Sequence, residues 1–363
     1  MGTVIDTKIS SERQPAEPGK KAVDPAAWTP DVLAIGDDWK YTLTVSDVEE
    51  IAAAVDSVEA QGLGIMEVTR DKFPLPKLSA VLDRVKSELL HGKGVFLMHG
   101  FPVSEWPVER MAIAYFGMGR YIGEPVSQNA KGHLLGHVKS LGGSYFDAKN
   151  RGYNTSAGLP FHADSSDITG LFCKQTSKSG GLSRVVSTVE LHNIMVERYP
   201  ELAAELAKPI YRDRRNEVPE GKLPYYQLPV FNYHQGYLSI SMSRGYIESV
   251  QRFEELPPFS PALRAALDTI DVLNEELAYD MELAEGDIQW VHNHITSHSR
   301  TEYEDWPEPE RKRHLFRLWL STPDGRPLAP GYAERYHSLA PGQRPVGGIL
   351  VPGTKLTAPL DAE

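Results

Sequence analysis

Apolar residues recur at helical spacing in several separate stretches of the chain. Val48, Ile51, Ala52, Val55 and Val58 form one stripe, and Ser46 with Glu49 three residues on reads as a capping box at its start. After Pro76, Leu78, Val81, Leu82, Val85 and Leu89 form a second stripe, stopped by Gly92 and Gly94. The pattern predicts further helices over 108–120, over 190–206, and from Pro261 through Leu263, Ala266, Leu267, Ile270 and Leu273. Between them lie unbroken apolar runs: Val95-Phe96-Leu97-Met98, Ile288-Gln289-Trp290-Val291 and Leu315-Phe316-Arg317-Leu318-Trp319-Leu320. Such runs predict strands buried on both faces. From 125 to 190 short strand-like pieces alternate with Gly, Asn and Ser turns, and others fall at Leu228 to Phe231 and Gly236 to Met242. Residues 1–40 hold few apolar groups and include Pro15, Pro18, Pro25 and Pro30. They read as a flexible or draped segment too poor in apolar surface to order itself, with the body starting near Trp39. No internal repeat is present. The expectation is a mainly β fold with flanking helices, residues 41–363 forming one domain with a helical insert near 190–280.

Composition narrows the class. The 363 residues carry a net charge of −11, which argues against a nucleic-acid partner. No apolar run is long enough for a membrane span, and the N-terminus lacks a signal-peptide core. The one cysteine, Cys173, excludes a disulfide framework and a cysteine-rich zinc module. A cytoplasmic location is expected, with a homo-oligomer left open.

Three strings carry chemistry. In Leu159-Pro160-Phe161-His162-Ala163-Asp164, an extended backbone puts His162 and Asp164 on one face. One imidazole, one carboxylate and a second histidine from elsewhere make a facial set with open positions, suited to Fe(II) and O2. The run Gly286 to Arg300 offers His292, His294 and His298 as that second histidine. In Arg311-Lys312-Arg313-His314-Leu315-Phe316-Arg317, Arg313 and Arg317 share a strand face beside residues that look buried. Two buried cations are costly unless they meet anions, and a guanidinium grips a carboxylate bidentately, so a dicarboxylate cosubstrate fits.

Together and in this order, from about Lys93 to Leu320, these strings resemble the taurine dioxygenase/clavaminate synthase-like family of Fe(II)- and 2-oxoglutarate-dependent oxygenases. The runs Gly94 to Val103, Gly123-Glu124-Pro125, Gln128-Asn129 and Gly180-Gly181-Leu182-Ser183 join the resemblance. It implies a double-stranded β-helix (jelly-roll) core. It implies His162, Asp164 and His298 as iron ligands, with His292 and His294 as competitors for the third place. Arg313 then takes the distal carboxylate of 2-oxoglutarate, and Ser183, where threonine is usual, offers a hydroxyl. Arg317 contacts the cosubstrate or an anionic substrate. Gln128, Asn129, Tyr153, Asn154 and Thr155 fall where the family's lid and substrate contacts lie. Because Asp164 is retained, the halogenase variant, which replaces this carboxylate with a small residue, is disfavoured. The implied reaction oxidises a small molecule, hydroxylation first, with release of succinate and CO2. A non-catalytic jelly-roll binding protein, and a Zn or Mn hydrolase or isomerase using the same ligands, are the competing expectations.

Overall fold

The structure is a computed structural model that describes residues 13–142, 152–335 and 348–362. Two sheets form its core. Their strands, in chain order, are β1 (Lys40–Thr42), β2 (Val95–His99), β3 (Glu124–Pro125), β4 (Leu135–Lys139), β5 (Leu159–His162) and β6 (Ile168–Gln175). They continue with β7 (Ser183–Ser187), β8 (Tyr279–Met281), β9 (Ile288–His292), β10 (Thr296–Arg300) and β11 (His314–Ser321). The large sheet runs β1-β2-β9-β6-β11-β3, with β4 also paired to β11. The small sheet runs β8-β7-β10-β5. Only β1 and β2 pair in parallel within these sheets.

The large sheet is buried on both faces, which explains its unbroken apolar runs. Phe96, Met98, Phe172, Ile288, Trp290, Phe316, Leu318 and Leu320 face a helical layer. That layer is α1 (Val45–Ala60), α2 (Leu78–His91) and α3 (Val108–Ile122). Their alternates Val95, Leu97, Cys173, Val291 and Leu315 face inward, toward Val185 of the small sheet. Burial holds the Cys173 thiol at about 12, so it stays a neutral apolar filler.

Between β7 and β8 come α4 (Thr188–Arg198), α5 (Pro200–Leu206), several short pieces and α6 (Pro261–Glu276), with a core of their own. The single helix read over 190–206 is two helices. Pro200 cannot donate to the helical ladder and disfavours helical backbone at Tyr199, which sits at φ −136°, ψ 55°. The strand read at Leu228 to Phe231 lies slightly later, as Phe231–His234 paired with Tyr237–Ile240. The capping box of α1 is Thr44 with Asp47, not Ser46 with Glu49: Asp47 N–H donates to Thr44 Oγ1 at 3.2 Å, and Thr44 N–H to Asp47 Oδ2 at 2.8 Å.

Residues 13–40 are ordered against the body. Ala22, Ala26, Trp28, Leu33 and Trp39 are buried. Trp28 Nε1 donates to the Lys93 carbonyl at 2.8 Å, and the Asn193 amide brackets Ala22 through its N–H (2.7 Å) and carbonyl (3.0 Å). A few large side chains and paired backbone groups supply what composition alone did not suggest.

The C-terminal segment straps the edge at β4. Thr357 pairs with Gly132 and Leu134, Pro359 O accepts from His137 Nε2 at 2.9 Å, and Asp361 meets Lys139 at 2.8 Å. Among the described residues no helix is long and apolar enough to cross a membrane.

Gly170 on β6 sits where the sheet meets α3. A Cβ there would lie 2.3 Å from the Trp290 ring and 2.5 Å from Tyr115 Oη. Gly170→Ala is expected to cost about 1–3 kcal/mol by overpacking. A lowered urea midpoint at constant m-value is the signature, and an unchanged midpoint would show that the two aromatic rings can yield.

Candidate metal centre and adjoining cleft

The site is made by register. Strand β10 lies between β7 and β5, and His298 stands directly across from His162. Their ring centroids are 4.5 Å apart. Asp164 follows β5 by two residues and completes a set whose donor atoms all lie within 4.8 Å of one another. His162 Nε2 is 3.8 Å from Asp164 Oδ1, and His298 Nε2 is 3.7 Å from Asp164 Oδ2. His162 Nδ1 donates to the Pro160 carbonyl at 2.9 Å, which leaves the Nε2 lone pair for a metal.

Neither rival histidine joins this set. His294 Nε2 is bound to Asp167 at 2.8 Å, with both groups buried. His292 Nδ1 accepts from the His294 backbone N–H at 3.1 Å.

Asp164 is the most heavily supported group in the site. Trp319 Nε1 donates to its Oδ2 at 2.8 Å and Thr169 Oγ1 at 3.0 Å. Asn293 fixes the backbone behind it: its Oδ1 accepts from Asp164 N–H at 3.1 Å, and its amide nitrogen donates to Ser166 and Thr169. Arg317 Nη1 is 3.7 Å from Asp164 Oδ1. Burial opposes the carboxylate charge, but Arg317, then His298 and His162, then the Trp319 bond outweigh it and hold the group well below its usual range. Burial, then the neighbouring His162, pushes His298 down to about 3, so its imidazole is neutral. Two imidazoles and one carboxylate on a shared face, with space on the other side, fit a divalent iron.

A small cavity adjoins the histidines between the sheets, with Ser183, His298, Arg300, Arg313, Leu315 and Arg317 in its wall. Arg313 is 5% exposed; its Nη2 reaches the Gly181 carbonyl at 3.5 Å, and among the described residues its Nη1 has no hydrogen-bond partner. Arg300 Nε and Nη1 are likewise unmatched, although its Nη2 donates to the carbonyls of Thr155 and Ala157. Burial, then repulsion from Arg313, holds Arg300 down at about 10. Two buried cations with orphaned donors need an anion in the cavity. Ser183 Oγ donates to Gln289 Oε1 at 2.5 Å. Gly181 approaches Arg313 so closely that a Cβ would stand 3.0 Å from its Nε, which is why a glycine at φ +75° suits this turn.

The open side of the triad faces a cleft whose wall includes Leu159, His162, Asp164, Tyr246, Arg317 and Trp319. Gln128 also lines it, but its amide is turned to Arg317: Oε1 accepts from Arg317 Nε at 2.7 Å and Nε2 donates to the Arg317 carbonyl at 2.8 Å. Asn129, Asn154 and Thr155, also expected to contact substrate, are not in that wall. Asn129 closes its own turn, accepting from Lys131 N–H at 3.0 Å and meeting His133 Nδ1 at 3.2 Å. Thr155 is buried, with its hydroxyl on the Gly152 carbonyl at 3.0 Å. Asn154 offers its carbonyl to Leu141 N–H at 3.0 Å. The Tyr153 side chain lies outside the described residues.

Trp319, Thr169 and Arg300 were not singled out from sequence, nor was Asn293 as the anchor behind Asp164. A signal existed for two of them. Trp319 is two residues past Arg317 and Arg300 two past His298, so each shares its neighbour's strand face.

A model of the taurine catabolism dioxygenase TauD, TfdA family matches residues 59–319. FR-33289 synthase of Streptomyces rubellomurinus is 30% identical over 296 residues, covering 79% of this chain and 86% of that protein. Taurine hydroxylase-like protein SAT17 of Stachybotrys chartarum is 26% identical over 310 residues, covering 82% and 79%. Among solved structures, an asparagine oxygenase with Fe(II), 2S,3S-3-hydroxyasparagine and succinate superposes with TM-score 0.63 at 17% identity, over 78% of this chain and 94% of that one. The non-heme iron oxygenase OrfP with Fe, succinate and (3S)-hydroxy-L-Arg gives 0.60 at 14% identity, over 78% and 94%.

Trp319→Phe keeps an aromatic ring, though a smaller one, and removes one hydrogen bond to Asp164. Fe(II) affinity is expected to fall about 10- to 100-fold, read by anaerobic metal titration, with the circular dichroism spectrum unchanged. Unaltered affinity would show that the indole contributes packing only.

Proposed function

We propose a division of roles within a chain that belongs to the TauD, TfdA family and is an Fe(II)- and 2-oxoglutarate-dependent dioxygenase of a small molecule. His162, Asp164 and His298 hold the iron. The convergence of these three donor atoms within 4.8 Å is the observation that carries the reading. Bound there, iron supplies O2 activation coupled to decarboxylation of 2-oxoglutarate to succinate and CO2, and the substrate is hydroxylated.

The residues around it do the rest. Arg313 takes the distal carboxylate of the cosubstrate, because its buried Nη1 has no other acceptor among the described residues. Arg300 adds a second cation to that cavity, and the Ser183 hydroxyl a polar contact. Arg317, pinned by Gln128, stands between cosubstrate cavity and cleft and keeps Asp164 ionised. Gln128 therefore acts on substrate through Arg317. The substrate is an anion: Arg215, Arg317 and Arg335 line the cleft, where Arg317 faces Asp164 and a fourth arginine, Arg244, is already paired with Glu248, Asp268 and Asp271. The lone buried thiol agrees with work in a reducing cytoplasm.

A catalytically idle scaffold would have no reason to keep two guanidinium groups buried beside the histidines with some of their donors unmatched among the described residues. A hydrolytic or isomerising metal site would have no use for them.

Arg313→Ala should leave Fe(II) binding intact and raise the 2-oxoglutarate concentration needed by about thirtyfold or more, the effect of breaking a buried charge contact. The readout is the visible charge-transfer band that grows when the keto acid is titrated into the anaerobic iron-loaded protein. A wild-type titration curve from this variant would sink the assignment of Arg313.

A further inference from the structure

The arginines of the cleft are not equivalent. Arg317 faces Asp164 at 3.7 Å. Arg244 is spent on Glu248 and Asp268, both at 2.7 Å, and on Asp271. Arg335 donates to the hydroxyls of Ser165 at 2.7 Å and Ser241 at 3.1 Å. Arg215 is half-buried, its guanidinium 5.7 Å from the Tyr246 ring centroid, and among the described residues no carboxylate lies within 4 Å of it.

Its backbone shows that this placement is enforced. Arg215 and Asn216 both adopt left-handed conformations, φ 49° and 68°, which side-chain-bearing residues rarely hold in succession. Asp213 Oδ1 accepts from Arg215 N–H at 2.7 Å. Arg252 forks onto both Asp213 oxygens at 2.8 and 3.1 Å and reaches Asn216 Oδ1 at 3.2 Å. The clamp holds the turn and engages both carboxylate oxygens of Asp213, the acid two residues before Arg215. Tyr246 follows Ser243, which bridges His162, so the wall carrying Arg215 is tied to the strand that carries the metal ligand.

We propose that Arg215 is the specificity-determining residue that binds the substrate's oxyanion, leaving Arg317 to hold Asp164 and the cosubstrate side. This rests on the assignment of the cleft beside His162 and Asp164 to the substrate. The substrate class is a small molecule with a carboxylate, phosphonate, phosphate or sulfonate at one end and the oxidised carbon toward His162 and Asp164.

The test uses the anaerobic Fe(II)- and 2-oxoglutarate-loaded enzyme, titrated calorimetrically with butyrate, propylphosphonate, propyl phosphate, propanesulfonate and neutral butyramide. At least one anion is expected to saturate, more weakly as salt rises, while butyramide does not. The tightest binder tells a planar from a tetrahedral anion. Arg215→Gln should weaken that anion tenfold or more and Arg215→Lys less, with the 2-oxoglutarate charge-transfer titration unchanged in both. Equal binding by Arg215→Gln, or no anion bound by a wild-type complex that forms normally, overturns the proposal. A wild type that fails to develop the charge-transfer band overturns the functional reading first, and this proposal with it.

Discussion

A single buried carboxylate organises this molecule. Asp164 is 7% exposed and charged, a combination that a protein interior tolerates only when several groups compensate it. The compensation comes from two strands, Arg317 and Trp319 on β11 and Thr169 on β6, while Asn293 after β9 fixes the backbone and the imidazoles on β5 and β10 stand ready to share a metal with the carboxylate. Each of those elements must be in register for the charge to be stable. The same registers set the cosubstrate cavity and the cleft on either side of Arg317.

The site is shared between the two sheets. The small sheet gives both histidines, opposed across one strand pair, together with Arg300, and the large sheet gives Arg317 and the supporting indole, with Arg313 just before its strand. Residues between the sheets therefore serve packing and chemistry together. Leu315 fills the interior one position before Phe316 joins the helical layer, and the same alternation delivers Arg317 and Trp319 inward.

Much of this could be read from the chain because the relevant signals are local. The His162-Ala163-Asp164 spacing places two donors on one face whatever the surroundings, and the four-residue spacing of Arg313 and Arg317 does the same for two cations. The buried strands announced themselves as unbroken apolar runs. What escaped was set by tertiary partners. Whether His294 or His298 reaches the metal depends on Asp167, which claims His294 from 127 residues away. The loop residues Asn129 and Thr155 were expected to face substrate, but hydrogen bonds within their own turns engage their side chains, a detail that spacing along the chain does not encode. The order of residues 13–40 hung on three buried tryptophan and leucine side chains, too few to register in a compositional reading.

The strap at the C-terminus has a consequence for how this protein behaves at high concentration. A sheet ending in an uncovered strand offers a row of peptide groups on which another chain can add itself. Here residues 357–361 lie alongside the flank of β4, from Thr357 beside Leu134 to Asp361 on Lys139. A foreign strand adding at that flank would first have to displace these residues, so the end of the chain guards its own sheet edge.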